Sequence, residues 1–193
     1  TLIFFIVSFD IIFESIVGVN ILGFYTLMPG RIASFFGDEL VIGIFYHFMS
    51  LLILAFFLNR KSSSLIILIL SVLIVLISFT IGERANFIKL FISITLFLFF
   101  VLKISFFKKI GIYSLIFILL SVIFSTNEDI KYRYYDQIKV IYSYDGFSKY
   151  FKQSQYGAHQ DTAYKIFKNN KFFGVGLKNF REESKREIYK NSK

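Results

Sequence analysis

The sequence predicts an all-α protein: a polytopic transmembrane helical bundle over residues 1–125, followed by a mostly helical extracytoplasmic loop domain over residues 126–193. Three observations predict it. Apolar runs of membrane length recur through the first 125 residues; the links between them alternate in basic content; and the remainder is polar, basic and rich in Tyr. The composition agrees. With 55% hydrophobic residues, 20% aromatic residues and a mean hydropathy of +0.63, the chain is more apolar than a water-soluble domain of its size.

A bilayer core of about 30 Å is crossed by roughly 20 helical residues rising 1.5 Å each. Leu2–Val17 is the first run, apolar except for Asp10 and Glu14. Leu40–Leu58 and Leu65–Gly82 contain no Asp, Glu, Lys or Arg. Asn86–Leu102 holds one charge, Lys89, in its first turn, where a long side chain reaches back to the interface. Ile110–Ser125 is uncharged, and Phe106–Phe107 lengthen it. The spans expected are therefore about 2–17, 40–58, 65–82, 86–102 and 107–125, the first of them partial. Such runs are helical because backbone polar groups in lipid must pair with one another. No basic stretch with a short apolar core and a small-residue cleavage site marks a signal peptide. The sequence opens inside an apolar run, at Thr1, and reads as an internal piece of a larger membrane protein.

Orientation follows from the links. Asn59–Ser64 holds Arg60 and Lys61, and Lys103–Lys109 holds Lys103, Lys108 and Lys109. The alternate links, Gly18–Glu39 and Gly82–Ala85, hold only Arg31 and Arg84. This bias assigns the first pair to the cytoplasm and the second, with Thr126 onward, to the outside. Lys89 narrows the margin without reversing it. Thr126–Lys193 carries 14 of the chain's 22 Lys+Arg and 8 of its 13 Asp+Glu, and a long loop is exempt from the charge rule. Within it, Ile130–Tyr144 has apolar residues at helical spacing (Ile130, Tyr134, Ile138, Ile141). Asp161–Asn170 reads as a second helix, with Asp161 as N-cap and Tyr164 and Phe167 on one face; Asn169–Asn170 and Gly174-Val175-Gly176 end it.

Several classes are excluded. With no Cys there is no disulfide framework, thiolate metal site or Cys nucleophile, and two His are too few for a His-rich zinc centre. Twenty-seven Phe and a single Pro do not suit a disordered or collagen-like chain. Gly174 and Gly176 lack the strand–turn–helix setting of a dinucleotide fingerprint. A basic, Tyr-rich segment could grip nucleic acid, but outside a membrane anionic lipid head groups or glycan phosphates suit it better. No nucleic-acid partner is expected.

Arg31 and Arg84 are the sharpest pair of candidates. Each stands in a short outer loop at the mouth of a helix, and two guanidiniums on one membrane face suit the bidentate recognition of a pyrophosphate. The plainer reading is contact with lipid phosphates, or pairing with Asp38, Glu39 or Glu83. Asp10 and Glu14, at i and i+4, share one side of their helix. Charges at that depth face the bundle interior or water, unless they lie near the surface or pair with a neighbouring helix. His47, mid-span, is expected to make an interhelical hydrogen bond, with proton relay the lesser reading. His159, in Tyr156–Asp161, has the chemistry of a general base, but without a visible Ser, Cys or carboxylate partner it reads first as a surface or capping group.

Three segments, taken in order, resemble the O-antigen ligase/polymerase family of bacterial inner-membrane glycan transferases. Gly30-Arg31-Ile32-Ala33-Ser34-Phe35-Phe36-Gly37-Asp38-Glu39 is similar to that family's R-x-S-G-x-F stretch, with Ala33-Ser34 where Ser-Gly is usual. Gly82-Glu83-Arg84-Ala85-Asn86 is similar to its G-S-R-G/A turn between spans. The stretch from His159 to Arg181, with Asn170-Lys171-Phe172-Phe173-Gly174-Val175-Gly176, is similar to a helix followed by D/N-x-P-x-x-G-V-G-x-x-x-F; Lys171 replaces the usual Pro. The resemblance covers about Asp10 to Arg181. It implies glycosyl transfer at the periplasmic face of the inner membrane, with no metal or other cofactor. The donor would be a glycan on undecaprenyl pyrophosphate, and the acceptor lipid A core or a lipid-linked glycan. Arg31 and Arg84 match the arginines that hold the donor pyrophosphate. The family's catalytic histidine is expected beyond Lys193, so His159 is not carried into that role and the piece alone is expected to be inactive. Ligase and polymerase are not separated. Two other readings stand beside it: a transporter or flippase for a charged lipid or solute, using Asp10, Glu14 and His47, and a membrane scaffold without catalysis.

Overall fold

The computed structural model describes residues 1–26, 28–39, 41–136, 138–139, 149, 151, 154–176 and 179–189, and of residues 38, 39, 155 and 156 the backbone alone. Among the described residues every regular element is helical. The chain forms two compact units, Thr1–Gln137 and Ile138–Lys193.

The first unit holds α1 (Leu2–Val17), α2 (Ile42–Asn59), α3 (Ser64–Thr80), α4 (Arg84–Leu96, prolonged by a wider π-helical turn Phe97–Val101), α5 (Phe106–Thr126) and the short α6 (Glu128–Lys131). Among the described residues three helices are long and apolar enough to cross a membrane: Ile42–Asn59, Arg84–Val101 and Phe106–Thr126. α3 is as apolar but has 17 residues. The expected spans all coincide with helices. The run expected to reach Gly82 stops at Thr80, because Gly82 adopts φ +74° and turns the chain into α4. Gly18, at φ 85°, closes α1 by donating its N–H to the Glu14 carbonyl. Ser63 caps α3 by accepting the Ile66 N–H. Short links make α2, α3 and α4 antiparallel neighbours.

α3 is the central helix, packed against α1, α2, α4 and α5. Its side chains, among them Ile67, Ile74, Val75 and Ile77, form the middle of a core that Ile11, Tyr46, Leu54, Leu90 and Ile94 close from the surrounding helices. α5 buries only Ile116. Phe100 is 82% exposed and Phe117 72%, so the outer faces are as apolar as the inner ones. Helices apolar all round lie either in a large core or in lipid. At one end of the unit, Lys109 donates to the Phe99 carbonyl at 3.2 Å with its ammonium over that ring, and Arg60 stands over Phe56.

α6 begins at Glu128, capped by Asn127, whose Oδ1 accepts the Ile130 N–H at 3.0 Å, and the helix widens over Tyr132–Asp136. The helix expected over Ile130–Tyr144 thus starts two residues early; Gln137 and residues 140–144 lie outside the described residues. The compact unit therefore outlasts the last apolar helix.

In the second unit, α7 (Gln155–Asn169) is followed by a single turn, α8 (Phe180–Glu183), and a 3-10 turn, Glu187–Tyr189. α7 starts well before the expected Asp161, which corrects the cap. Ser154 takes that role, its Oγ accepting the Gly157 N–H at 3.2 Å, and Asp161 lies inside the helix paired with Lys165 at 2.8 Å. Asn169 donates to the Tyr189 hydroxyl and ties the last turn of α7 to the 3-10 turn. Ile166 is buried, while Tyr164 and Phe167 face outward.

The α3–α4 turn supplies the first prediction. A Cβ on Gly82 would overlap the Gly30 carbonyl oxygen and hold an L residue at positive φ. Gly82→Ala is expected to lower stability by about 1–3 kcal/mol. Gly111→Ala, at an open helical position on α5, should leave it equal or raise it by about 0.5–1 kcal/mol. Thermal unfolding in detergent measures both.

Candidate functional site

The site begins with two carboxylates on α1. Asp10 is completely buried and Glu14 is 5% exposed, and both face the loop that follows their own helix. Asp10 accepts the Ile21 N–H at 2.8 Å and the Ser34 hydroxyl. Glu14 accepts the Thr26 hydroxyl at 2.8 Å, the Ala33 N–H at 3.2 Å and the Ser34 N–H at 2.7 Å. A buried carboxylate is tolerable only when hydrogen-bonded, and here the donors come from residues 21–34. Ser34 is held at every polar group: its carbonyl also accepts the Asn20 amide at 2.8 Å. Its φ of +51° is a left-handed conformation that a non-glycine residue keeps only when its surroundings impose it. Asn20 in turn accepts the Leu22 and Phe24 N–H groups and shapes the first bend.

The loop so fixed lays Arg31 against the α3–α4 turn. The Ile32 N–H donates to the Ile81 carbonyl at 3.1 Å, and Arg31 Nη2 donates to Glu83 Oε1 in an ion pair with both side chains largely buried. Glu83 also accepts the Asn86 amide, and its carboxylate fills the notch that Gly43 leaves in the first turn of α2. An anion there is favoured by the positive end of the α2 dipole. Of the expected acidic partners, Glu83 takes the role; the side chains of Asp38 and Glu39 lie outside the described residues.

Arg84 is the first residue of α4, next to Glu83. A cation in the first turn opposes the helix dipole, so helix stability does not explain it. Arg133 joins the same rim from the turn after α6, its Nε donating to the Gly82 carbonyl at 3.0 Å, while Gly30 sits against the Asp129 backbone. Tyr134 stacks on Phe79 at 4.4 Å and donates to its carbonyl at 3.2 Å. Burial pushes the Tyr134 phenol well above its ordinary range, and the fields of Arg133 and Arg84 partly oppose the shift. Beside the rim opens a cavity of about 290 Å³, lined by Arg31, Gly30, Thr26, Glu14, Thr80 and Asp129 among others.

Of the two arginines singled out in the sequence, Arg31 thus lies in the loop after α1, on the cavity wall, and Arg84 opens α4 at the turn against which that loop is laid. Asp10 and Glu14 hold the loop that carries Arg31. His47 makes the interhelical contact expected of it, to Ser93 of α4 at 3.4 Å. His159 belongs to the second unit and is exposed on α7. Sequence reasoning gave Ser34, Asn86, Arg133 and Tyr134 no role in the site, because their contacts are set by the path of the loops and not by a local pattern. Among the described residues no three His, Cys, Asp or Glu side chains come together as a metal cluster. No family model, curated protein or solved structure matches the chain.

Ser34 gives the second prediction. Ser34→Ala keeps the left-handed strain and strips Asp10 of a donor, which costs about 1–3 kcal/mol. Ser34→Gly loses the same donor but relieves the strain, so its thermal midpoint should lie between alanine and the parent.

Proposed function

We propose that the chain is part of a polytopic inner-membrane enzyme of the O-antigen ligase/polymerase type, moving a glycan from an undecaprenyl-pyrophosphate donor to lipid A core or a lipid-linked glycan. The observation that carries this reading is the junction of the two arginine loops: the Ile32–Ile81 hydrogen bond and the Arg31–Glu83 pair set Arg31 beside the turn that presents Arg84. Two guanidiniums held by separate hairpins can grip a diphosphate from two sides. As the glycosidic bond breaks, negative charge grows on the departing pyrophosphate, and cations already in place stabilise it without reorganisation. Glu83 holds one arm of the Arg31 guanidinium and so fixes its orientation. Ser34 supports the reading separately: the family pattern has glycine there, and Ser34 adopts a glycine-like positive φ.

The membrane placement draws on the three long apolar helices and on charge. Arg60, Lys61, Lys103, Lys108 and Lys109 gather in the links at one end of the helices, and by the positive-inside bias that end is cytoplasmic. The arginine rim and the segment after Thr126 are then periplasmic. A transport path along Asp10, Glu14 and His47 is less well supported, because both carboxylates are engaged by loop donors.

Transfer from a lipid-linked donor, assayed with the full-length protein in proteoliposomes, tests the assignment. Arg31→Ala and Arg84→Ala should each cut the rate by about 10²–10³-fold with membrane insertion unchanged. Parental rates in both would refute it. Orientation is tested separately, since the chain has no Cys. A single Thr126→Cys should react with an impermeant maleimide from the outside, and a single Ser62→Cys only after the membrane is opened.

A further inference from the structure

We infer that the turn after α7 is an anchor for an anionic lipid surface: Phe172 and Phe173 enter the boundary between head groups and acyl chains while Lys168 and Lys171 contact lipid phosphates. This rests on the chain being a membrane protein and not on glycan transfer.

The turn is built to hold these side chains outward. Asn170 ends α7 with its N–H on the Ile166 and Phe167 carbonyls and its amide on the Ile166 carbonyl at 3.0 Å. Its own carbonyl accepts the Gly174 N–H at 2.9 Å, and Gly174 takes φ +62° to close the turn. Between these two fixed residues, Phe172 is 93% exposed and Phe173 98%. Phe167, one turn earlier, adds a 59% exposed ring. Adjacent phenylalanines bared on a hydrogen-bonded turn are a protruding apolar tip, and exposed apolar clusters mark contact sites.

Charge selects the occupant. From Thr162 to Arg181 the sequence contains Lys165, Lys168, Lys171, Lys178 and Arg181 and no Asp or Glu. Aromatic rings flanked by lysines suit the interface of an anionic bilayer, where rings lie at the head-group level and ammonium groups meet phosphate. The same patch would repel a second copy of itself. Covalent linkage to helices long enough to cross a membrane keeps the bilayer surface at high effective concentration.

The chain has no Trp, so one introduced Trp reports alone. The full chain carrying Phe173→Trp is reconstituted in vesicles of phosphatidylcholine, with or without phosphatidylglycerol, containing lipids spin-labelled at a shallow or a deep acyl position. With phosphatidylglycerol, blue-shifted emission quenched most by the shallow label is expected. Lys168→Gln with Lys171→Gln should weaken the tip's partitioning about 25-fold, each lysine near such a surface being worth about fivefold. Phe117→Trp, on the outer face of α5, should be quenched by the deep label and verifies that the helices are in the bilayer. Water-like, unquenched emission from Phe173→Trp beside a quenched Phe117→Trp overturns the anchor alone; if neither is quenched, the membrane reading falls and takes the anchor with it. Equal quenching without phosphatidylglycerol, or a blue shift that grows with protein density and ignores the lipid label, overturns the anionic surface as the occupant.

Discussion

The first unit depends on a trade made inside α1: two carboxylates are withdrawn from water and satisfied by the loop that follows. Asp10 and Glu14 lie one helical turn apart, so their oxygens form a short ladder along one side of the helix. Residues 21–34 close on it with backbone N–H and hydroxyl donors, and the closure is cooperative in a physical sense. Removing one donor leaves part of a buried anion uncompensated, which is why such groups are severe when broken and modest when intact. The position of Arg31, the strained backbone at Ser34 and the hydrogen bond to Ile81 all follow from that closure.

What the sequence revealed depended on range. The helices of the first unit were legible because their cause is local: in an apolar run every backbone group must find a partner nearby, and the chemistry of the residues states the length. Their ends were less legible where a cap acts against the apolar pattern. Gly82 is apolar enough to extend a span, yet its positive φ ends one. Asp161 looks like a helix start, yet Ser154 offers an oxygen to the Gly157 N–H and starts α7 earlier.

The candidate site divides the same way. Arg31 and Arg84 stood out because a guanidinium is conspicuous in a short loop between apolar runs. Asp10 and Glu14 were conspicuous too, but their role was hidden, since it is fixed by a loop whose path no periodicity encodes. Gly43 was invisible: only the packing of α2 on the α3–α4 turn shows why a side chain there would displace Glu83 from both Arg31 and Asn86. Arg133 and Tyr134 read as ordinary members of a basic, aromatic segment until the fold laid them on Gly82 and Phe79.

The length of the central helix has a consequence of its own. The 17 residues of α3 rise roughly 26 Å, short of the roughly 30 Å of a typical hydrocarbon slab. Yet α3 is ringed by α1, α2, α4 and α5, so its shortness is met by protein and not by lipid, and the space beyond its end is taken up by the α3–α4 turn and the loop that carries Arg31.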